Sequence, residues 1–202
     1  PVEFRCRSIE YSGNKTQVLA FADLRERKKA EARIYHLAMH DPLTDLPNRS
    51  HFNQRLRELL DHLSPESAST ALLLIDLDQF KNINDLHGHP SGDAVITAVA
   101  ERLRSVAGPG DCVARLGGDE FAFVQASIDF PNQAADLAHR LLYAISEPVL
   151  LPTGDTIRPG ASIGVAIAPR DASDAETLFQ HCDVSLYAAK NNGRNQVIAA
   201  LG

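Results

Sequence analysis

The stretch ARLGGDEFAF, residues 114–123, sets two glycines and two acids between two apolar runs. A Gly-Gly pair between such runs predicts a β-hairpin, because glycine adopts the positive φ that tight hairpin turns need. We place the turn at Gly117-Gly118, between strands over residues 111–116 and 120–126. Glycines also let a ligand approach the backbone closely. A plain hairpin explains the glycines but gives the two acids no role.

A second pair of acids ends the apolar run TALLLIDLD, residues 70–78. The continuous run predicts a buried strand, and Asp76 and Asp78 share one of its faces because strand side chains alternate. These acids could emerge into water at the sheet edge or cap the next helix. If the strand lies beside the hairpin, Asp76 instead approaches Asp119 and Glu120. Such hard oxygen ligands suit Mg²⁺, and two metal ions could bridge the attacking and leaving oxygens of a phosphoryl transfer.

The segment DQFKNINDLHGHPSGD, residues 78–93, concentrates polar groups that suit a purine nucleotide. Asn84 and Asp93 can together read the donor-rich edge of guanine. Backbone amides near Phe80 can receive a phosphate, because the N–H groups at a helix start point outward and carry partial positive charge. This segment therefore favours a nucleotide site next to the acids.

Two cations flank a glycine in KNNGR, residues 190–194, near the end of the chain. Lys190 could be a solvated cation at a helix end, where the helix dipole favours positive charge. Alternatively, Lys190 and Arg194 together could clamp a terminal phosphate. The sequence alone leaves both interpretations open.

Secondary-structure signals predict a β-hairpin and a helix at the N-terminus. Strands are predicted over residues 2–10 and 15–22 around a turn at Ser12-Gly13-Asn14, and Asp23 can cap the helix that follows. The helix carries a short heptad-like stripe whose members are Ala30, Ile34, Leu37 and Asp41. A solvated linker helix with one packed face and a dimer stalk both explain this stripe.

The turn cluster DPLTDLPNR, residues 41–49, marks the start of the main domain. From residue 42 the predicted elements run α, β, α, α, β, β, α, β, α, β. This order predicts an α+β fold in which helices cover one face of a mixed central sheet. We divide the chain into an N-terminal hairpin over residues 1–22, a linker helix over 23–40 and the main domain over 41–202.

Composition argues against several classes of protein. The net charge of −6 argues against a nucleic-acid-binding surface, and no apolar run approaches the length of a membrane span, so we expect neither partner. Three widely spaced cysteines, Cys6, Cys112 and Cys182, predict neither a disulfide framework nor a zinc site, and they fit a reducing, cytoplasmic compartment. The chain begins at Pro1 within a predicted strand, so we interpret it as a fragment of a longer protein.

Five blocks of the chain resemble the GGDEF domain family, the diguanylate cyclases, in their order and approximate spacing. The blocks are DPLTDLPNR, IDLDQFKNINDLHGHPSGD, RLGGDEF, ASIGVAIAP and DVSLYAAKNNGRNQV, and they cover about residues 41–200. The segment before them resembles the last two strands of a PAS sensor domain, and ADLRERKKAEARI resembles the usual junction between a PAS domain and its output domain. The resemblance implies a fold like the palm of adenylyl cyclases and polymerases.

The same resemblance implies an enzyme that condenses two GTP molecules into cyclic di-3′,5′-GMP and two pyrophosphates, with Mg²⁺ or Mn²⁺ as cofactor. The implied metal ligands are Asp76, the backbone carbonyl of Leu77, Asp119 and Glu120. The implied catalytic residues are Asp119, Glu120 and Lys81, with Asp119 as the candidate base for the ribose 3′-hydroxyl. The implied GTP-binding residues are Phe80, Lys81, Asn84, His89, Asp93, Gly117, Gly118, Lys190 and Arg194.

The implied reaction needs two domains, because the 3′-hydroxyl of one GTP attacks the α-phosphorus of a GTP held by a second domain. The resemblance therefore implies a homodimer, whose pairing an upstream PAS sensor could control. In the main alternative, the domain binds GTP and regulates a downstream phosphodiesterase domain in the same chain. A cyclic di-GMP receptor and a nucleotide cyclase with another product are further alternatives.

The chain departs from the family pattern at the product-binding site, which many members build from Arg-x-x-Asp just before the signature. The corresponding residues here are Gly108-Pro109-Gly110-Asp111, so the aspartate is retained and the arginine is replaced by Gly108. Without a guanidinium, bidentate recognition of the product guanine is lost. We therefore expect weak or absent product inhibition. Asp45 stands where the family often has glycine, and we expect no consequence for the chemistry.

Overall fold

The computed structural model describes residues 2–11, 14–63 and 68–200. The chain forms two compact units, Pro1–Ala38 and Met39–Gly202. In the first unit, β1 (Val2–Tyr11) pairs antiparallel with β2 (Asn14–Asp23), which confirms the predicted hairpin strands. Residues 12 and 13 of the predicted turn lie outside the described residues.

The helix α1 (Arg25–Met39) follows this hairpin, as predicted. Asp23 accepts a hydrogen bond from the Arg25 backbone N–H at 3.0 Å, which satisfies one of the free donors at the helix start. Ile34 and Leu37 of the predicted stripe are exposed in the single chain, with 67% and 59% of their surface accessible.

The second unit is an α+β fold around a five-stranded sheet. Its elements are α2 (Arg49–Asp61), β3 (Ser69–Asp78), α3 (Phe80–His87), α4 (His89–Val106), β4 (Cys112–Gly117), β5 (Glu120–Ile128), α5 (Pro131–Ile145), β6 (Val149–Leu150), β7 (Thr156–Ile157), β8 (Gly160–Ala168), α6 (Ala175–Asn191) and β9 (Gln196–Ala199). The strand order is β4-β5-β3-β8-β9, and the sheet is mixed because only β8 and β9 pair in parallel. The predicted order of elements is confirmed, except that the two-residue strands β6 and β7 were not predicted.

Helices cover both faces of the sheet, so the prediction that they cover one face is wrong. Leu73 and Ile75 of β3 pack in the cluster that contains α4 and α5. Leu72 and Leu74 pack in the cluster that contains α2 and α6. The physical reason lies in β3 itself, because a continuous apolar run is typical of a strand that is buried on both faces.

The helix α6 lies unusually close to β8 at Gly164. A Cβ added to this glycine would overlap the backbone of Cys182 and Leu186, so only glycine permits this approach. Cys182 itself is fully buried and donates to the carbonyls of Leu72 and Gly164, at 3.4 and 3.1 Å. The close contact sets the height of the C-terminal half of α6 over the sheet and therefore the position of Lys190 near its end.

Candidate functional site

The carboxylates predicted to come together lie at adjacent strand ends. Asp76 of β3 stands directly opposite Glu120 of β5 in the antiparallel register. Asp119 lies in the turn next to them, and its carbonyl accepts a hydrogen bond from the Leu77 N–H at 3.2 Å. The hairpin and the end of β3 are thus held together by backbone contacts, and three acidic residues gather at one edge of the sheet.

The turn of the hairpin lies one residue later than predicted. Gly117 still pairs with Glu120, after an irregularity between Arg115 and Gly117, so the turn residues are Gly118 and Asp119. The φ angles of Gly117 and Gly118 are 142° and 54°, both in the region that favours glycine. A Cβ on either glycine would meet no atom within 4 Å. Both glycines are therefore needed for backbone conformation, and the space above them is open to a ligand.

The carboxyl group of Asp76 is the most buried acid at this edge, with 14% of its side chain exposed. Lys190 of α6 forms an ion pair with it, with 2.7 Å between Nζ and Oδ2. Burial raises the pKa of Asp76 above its usual range; the Lys190 ammonium opposes this rise, and the charges of Asp119 and Glu120 add to it. Any further cation that approaches Asp76 stabilises its ionised form.

Two arginines that the sequence analysis gave no role hold the hairpin from outside. Arg49 contacts the Glu120 carboxylate through Nη2 and donates from Nε to the Leu116 carbonyl, both at 3.3 Å. Arg115 donates from Nε and Nη2 to the Gly118 carbonyl, at 3.0 and 2.7 Å. Both arginines belong to the quoted blocks DPLTDLPNR and RLGGDEF, but no local pattern shows what a long side chain will reach.

Arg115 also connects the turn to Asp41, with 3.0 Å between Nη1 and Oδ1. Burial opposes ionisation of Asp41, but hydrogen bonds from Thr44 and Arg115 outweigh it and hold the pKa of Asp41 below its usual range. Only 13% of the Arg115 side chain and 18% of the Asp41 side chain are exposed. A pair so little solvated and so fully hydrogen-bonded fixes geometry more firmly than a surface pair does.

The proposed guanine readers lie on two consecutive helices. Asn84 is on α3 and Asp93 is on α4, and the helices are joined through Gly88, whose φ is 80°. A Cβ on Gly92 would overlap the Asn84 side-chain oxygen and contact the Phe80 ring. Gly92 therefore lets Asn84 lie against α4 next to Asp93. The joint role of Asn84 and Asp93 in binding guanine stays a prediction.

The residues proposed to bind phosphate lie in several different surroundings. Lys81 is exposed on the first turn of α3, where the N-cap residue Gln79 is left-handed and makes no side-chain capping bond. His89 is exposed at the start of α4. Lys190 contacts Asp76, whereas Arg194 lines a cavity of about 440 Å³.

Cavity size does not identify the candidate site. A cavity of about 720 Å³ lies between α2 and α6 and is lined in part by Arg57 and Asp174. It contains none of the residues predicted to bind GTP. A smaller cavity of about 350 Å³ opens beside Glu120 and Arg49. We therefore base the site on the acids and their contacts rather than on volume.

The residues at the product-binding position form a closed turn. Asp111 accepts hydrogen bonds from the N–H groups of Gly108 and Ala126, at 2.9 and 3.0 Å. Arg55 donates to the Gly110 carbonyl at 3.3 Å. Both carboxylate oxygens of Asp111 are thus used within the protein, which is a structural role that the sequence analysis did not predict.

The acids at the hairpin fit a divalent cation that is completed by a substrate. Within the described ranges, no three His, Cys, Asp or Glu side chains form a preformed metal site. Mg²⁺, however, commonly takes one or two carboxylates together with phosphate oxygens and water. Asp76, whose pKa is raised by burial and by the neighbouring carboxylates, offers such a ligand beside an open turn.

Comparison with known proteins shows the class to which this fold and site belong. A sequence model described as "Diguanylate cyclase, GGDEF domain" matches residues 38–196. The chain therefore belongs to the GGDEF family. Diguanylate cyclases of this family depend on a divalent metal ion.

Individual relatives extend this comparison. The chain is 45% identical over 187 residues to an uncharacterized signaling protein of Caulobacter vibrioides, covering 92% of this chain and 23% of the relative. It is 39% identical over 181 residues to MucR of Pseudomonas aeruginosa, a bifunctional diguanylate cyclase/cyclic di-GMP phosphodiesterase, covering 90% of this chain and 26% of MucR. The chain thus spans about a quarter of each relative.

The fold also matches a solved structure. The GGDEF domain of TpbB from Pseudomonas aeruginosa aligns with a TM-score of 0.78 and 37% identity, covering 80% of this chain and 94% of that one. The mixed α+β fold with flanking helices is therefore that of a GGDEF domain. No helix among the described residues is long and apolar enough to span a membrane.

Proposed function

We propose that this chain carries a diguanylate cyclase domain, which condenses two GTP molecules into cyclic di-3′,5′-GMP and two pyrophosphates. The observation that carries the proposal is Asp76 opposite Glu120, beside an open glycine turn and in contact with Lys190. Family membership supplies the reaction class, and the relatives named above include a protein with that activity in its name.

In this proposal, Asp76, the Leu77 carbonyl, Asp119 and Glu120 hold the divalent cation, with Mg²⁺ or Mn²⁺ as the candidates. When bound, the cation neutralises phosphate charge and favours ionisation of the attacking hydroxyl. Lys190 then exchanges its contact with Asp76 for one with the phosphates. Asp119 accepts the proton of the ribose 3′-hydroxyl.

The remaining residues orient the nucleotide. Asn84 and Asp93 bind guanine through hydrogen bonds, because a carboxylate accepts from N1–H and the exocyclic amino group while an amide donates to O6 or N7. Lys81, Lys190 and Arg194 bind the phosphates. Holding the 3′-hydroxyl and the α-phosphorus in line is the main catalytic contribution of the protein, because phosphoryl transfer depends on positioning and charge.

The proposal extends to partners that the single chain does not contain. Two domains must face each other, so the active form is a homodimer. Residues 1–22 are proposed to be the end of a PAS sensor and residues 23–40 its linker to the GGDEF domain over 41–202. We place the domain in the cytoplasm, where GTP is supplied.

A second candidate function is a GTP-binding module that regulates a downstream phosphodiesterase domain. It is favoured by the bifunctional relative MucR, of which the chain spans 26%. The two functions differ in turnover, since a regulatory module binds GTP without releasing pyrophosphate.

The test incubates the purified chain with GTP and Mg²⁺ or Mn²⁺ and separates the products by chromatography. The proposal expects cyclic di-GMP, a rate per protein that rises with protein concentration, and loss of synthesis in Asp119→Ala. Asp136→Ala is the matched control, because Asp136 is an exposed acid on α5. Tight GTP binding without any product would establish the regulatory function instead.

A further inference from the structure

The acid Asp78 has no part in the site as described so far, although it ends the same strand and shares a face with Asp76. Its Oδ1 accepts a hydrogen bond from the Ser162 hydroxyl at 2.8 Å. Its Oδ2 accepts one from the Asn195 backbone N–H, also at 2.8 Å. Asp78 therefore joins β8 to the turn between α6 and β9.

This turn has an unfavourable backbone conformation. Gly193, Arg194 and Asn195 have φ angles of 112°, 63° and 44°, so two consecutive non-glycine residues are left-handed. Residues with side chains rarely adopt that region, and such conformations persist when surrounding contacts over-determine them. The Asn195 N–H bond to Asp78 is one such contact, and the Arg194 N–H bond to the Ala189 carbonyl at 3.1 Å is another.

The two acids at the end of β3 hold opposite sides of the same turn. Asp76 contacts Lys190 in the last turn of α6, and Asp78 contacts Asn195 just before β9. Of the two cations proposed to bind phosphate, Lys190 is itself one attachment, and Arg194 lies between the two attachments in the chain. Ser162 is fully buried, so its hydroxyl fixes the Asp78 carboxylate from a rigid part of the sheet.

We propose that Asp78 is a positioning residue that holds the α6–β9 turn so that Lys190 and Arg194 meet the β- and γ-phosphates. The inference rests on the proposed function and deepens it. Asp78 acts through the turn and touches neither metal nor nucleotide. Its loss therefore weakens recognition of the triphosphate while recognition of guanine by Asn84 and Asp93 is retained.

The test measures binding of α,β-methylene-GTP, which cannot cyclise, and of GMP to the 202-residue chain by calorimetry with Mg²⁺. Asp78→Ala is expected to weaken the triphosphate analogue by about tenfold, the order expected for losing one charge-assisted contact, and GMP by less than about twofold. Ser162→Ala is expected to shift the analogue in the same direction by a smaller factor, and it serves as the test variant if Asp78→Ala does not fold.

Asp78→Asn separates positioning from a direct role of the charge. An asparagine oxygen can still accept from Asn195, and its amide can donate to Ser162, which then acts as acceptor. This variant is expected to recover most of the affinity for the triphosphate analogue. If it is as weak as Asp78→Ala, the negative charge itself is required and the positioning role is overturned.

Asp174→Ala is the matched control for a general effect on α6. Asp174 caps the opposite end of that helix, where its carboxylate accepts from the Thr177 N–H at 2.9 Å. This variant is expected to bind both probes like the parent. Equal weakening of both probes in Asp78→Ala, or of the analogue in Asp174→Ala, overturns the inference. Failure of the parent to bind the analogue at all overturns the proposed function itself.

Discussion

An acidic residue lies near each end of β4, and the two acids have different kinds of partner. At the Gly117 end, acids follow two glycines, and Asp76 is neutralised by a side chain, Lys190, at 2.7 Å. At the Cys112 end, Asp111 follows Gly110, and both of its oxygens accept backbone N–H groups. A side-chain cation can move when a ligand arrives, but backbone donors cannot. The comparison teaches that the partner of an acid decides whether it is available to a ligand.

The largest expected effect is at the Gly117 end. Asp76→Asn should lower the rate of cyclic di-GMP synthesis by at least about a hundredfold, the order found when a group that stabilises transition-state charge is removed. Pyrophosphate release measures the effect. If the variant keeps the parental rate, Asp76 has no role in the reaction, and the proposed difference between the two ends of β4 is wrong.

The same variant should change the pH dependence of stability. Because the pKa of Asp76 is raised in the folded chain, ionising it costs the folded state more than the unfolded state, so stability falls as pH rises through that raised pKa. Asp76→Asn removes this cost and should unfold at equal or higher denaturant concentration than the parent at pH 7. The difference should vanish below the ordinary pKa of an aspartate, about 3.9, where both states are protonated.

The next effect concerns the contact that holds the turn. Arg115→Lys keeps the charge but cannot bridge Asp41 and the Gly118 carbonyl with a planar fork, so we expect kcat to fall by about tenfold. Arg104→Lys is the control. Arg104 donates at 3.0 Å to the carbonyl of Thr44, which lies with Asp41 in the turn over residues 41–49, and this contact does not involve the hairpin. Equal losses in both variants would assign the effect to general loosening.

At the Cys112 end we expect an effect on stability rather than on rate. Asp111→Ala leaves the N–H groups of Gly108 and Ala126 without their acceptor, which should lower the free energy of unfolding by about 1–3 kcal/mol. Chemical denaturation measures this loss. The initial rate of cyclic di-GMP synthesis should stay within about twofold of the parent, since the Asp111 carboxylate contacts the N–H groups of Gly108 and Ala126 and none of the residues proposed to bind metal or GTP. A large loss of rate would show that the two ends are coupled.

The smallest expected effect is a gain of product binding. Gly108 has a backbone that accepts other residues, and its Cβ would lie 3.4 Å from Asp111 Oδ2, which is ordinary contact. Gly108→Arg should therefore fold and add a guanidinium for the product guanine, with weak inhibition by cyclic di-GMP where the parent shows little. Calorimetry with cyclic di-GMP measures both proteins. Tight binding by the parent that disappears in Asp111→Ala would contradict our expectation for the parent.

Much of the fold could be predicted from periodicity. The apolar run predicted β3 and the glycines predicted the hairpin, whereas the sequence left open whether the two are neighbours. The structure pairs them and sets Asp76 opposite Glu120. The exact turn residues could not be predicted, because an irregularity at Leu116 shifts the register and no sequence pattern marks it. The strands β6 and β7 have two residues each, which is too short for any period to show.

Long-range contacts were beyond the sequence. Arg115 reaches Asp41 across 74 positions, and Asp78 reaches Asn195 across 117, and neither pairing leaves a local trace. At Asp45, in contrast, the family pattern does reflect the local structure. The φ of Asp45 is 57°, which explains why the family often has glycine there, and aspartate also tolerates this left-handed region. Side-chain chemistry suggested Asn84 and Asp93 as guanine readers, the family resemblance implied the full set of nucleotide-binding residues, and the structure adds the contacts that support them.

We expect substitution of Gly164, on the inner strand β8, to affect activity as strongly as substitution of a residue in the candidate site. It pairs with Leu74, two residues before Asp76 on the neighbouring strand, and it lies beneath α6 where a methyl group would meet the helix backbone. A change as mild as Gly164→Ala would displace α6, whose last turn carries Lys190. Screens for inactive variants of this domain should therefore recover substitutions of Gly164, a buried residue without a side chain.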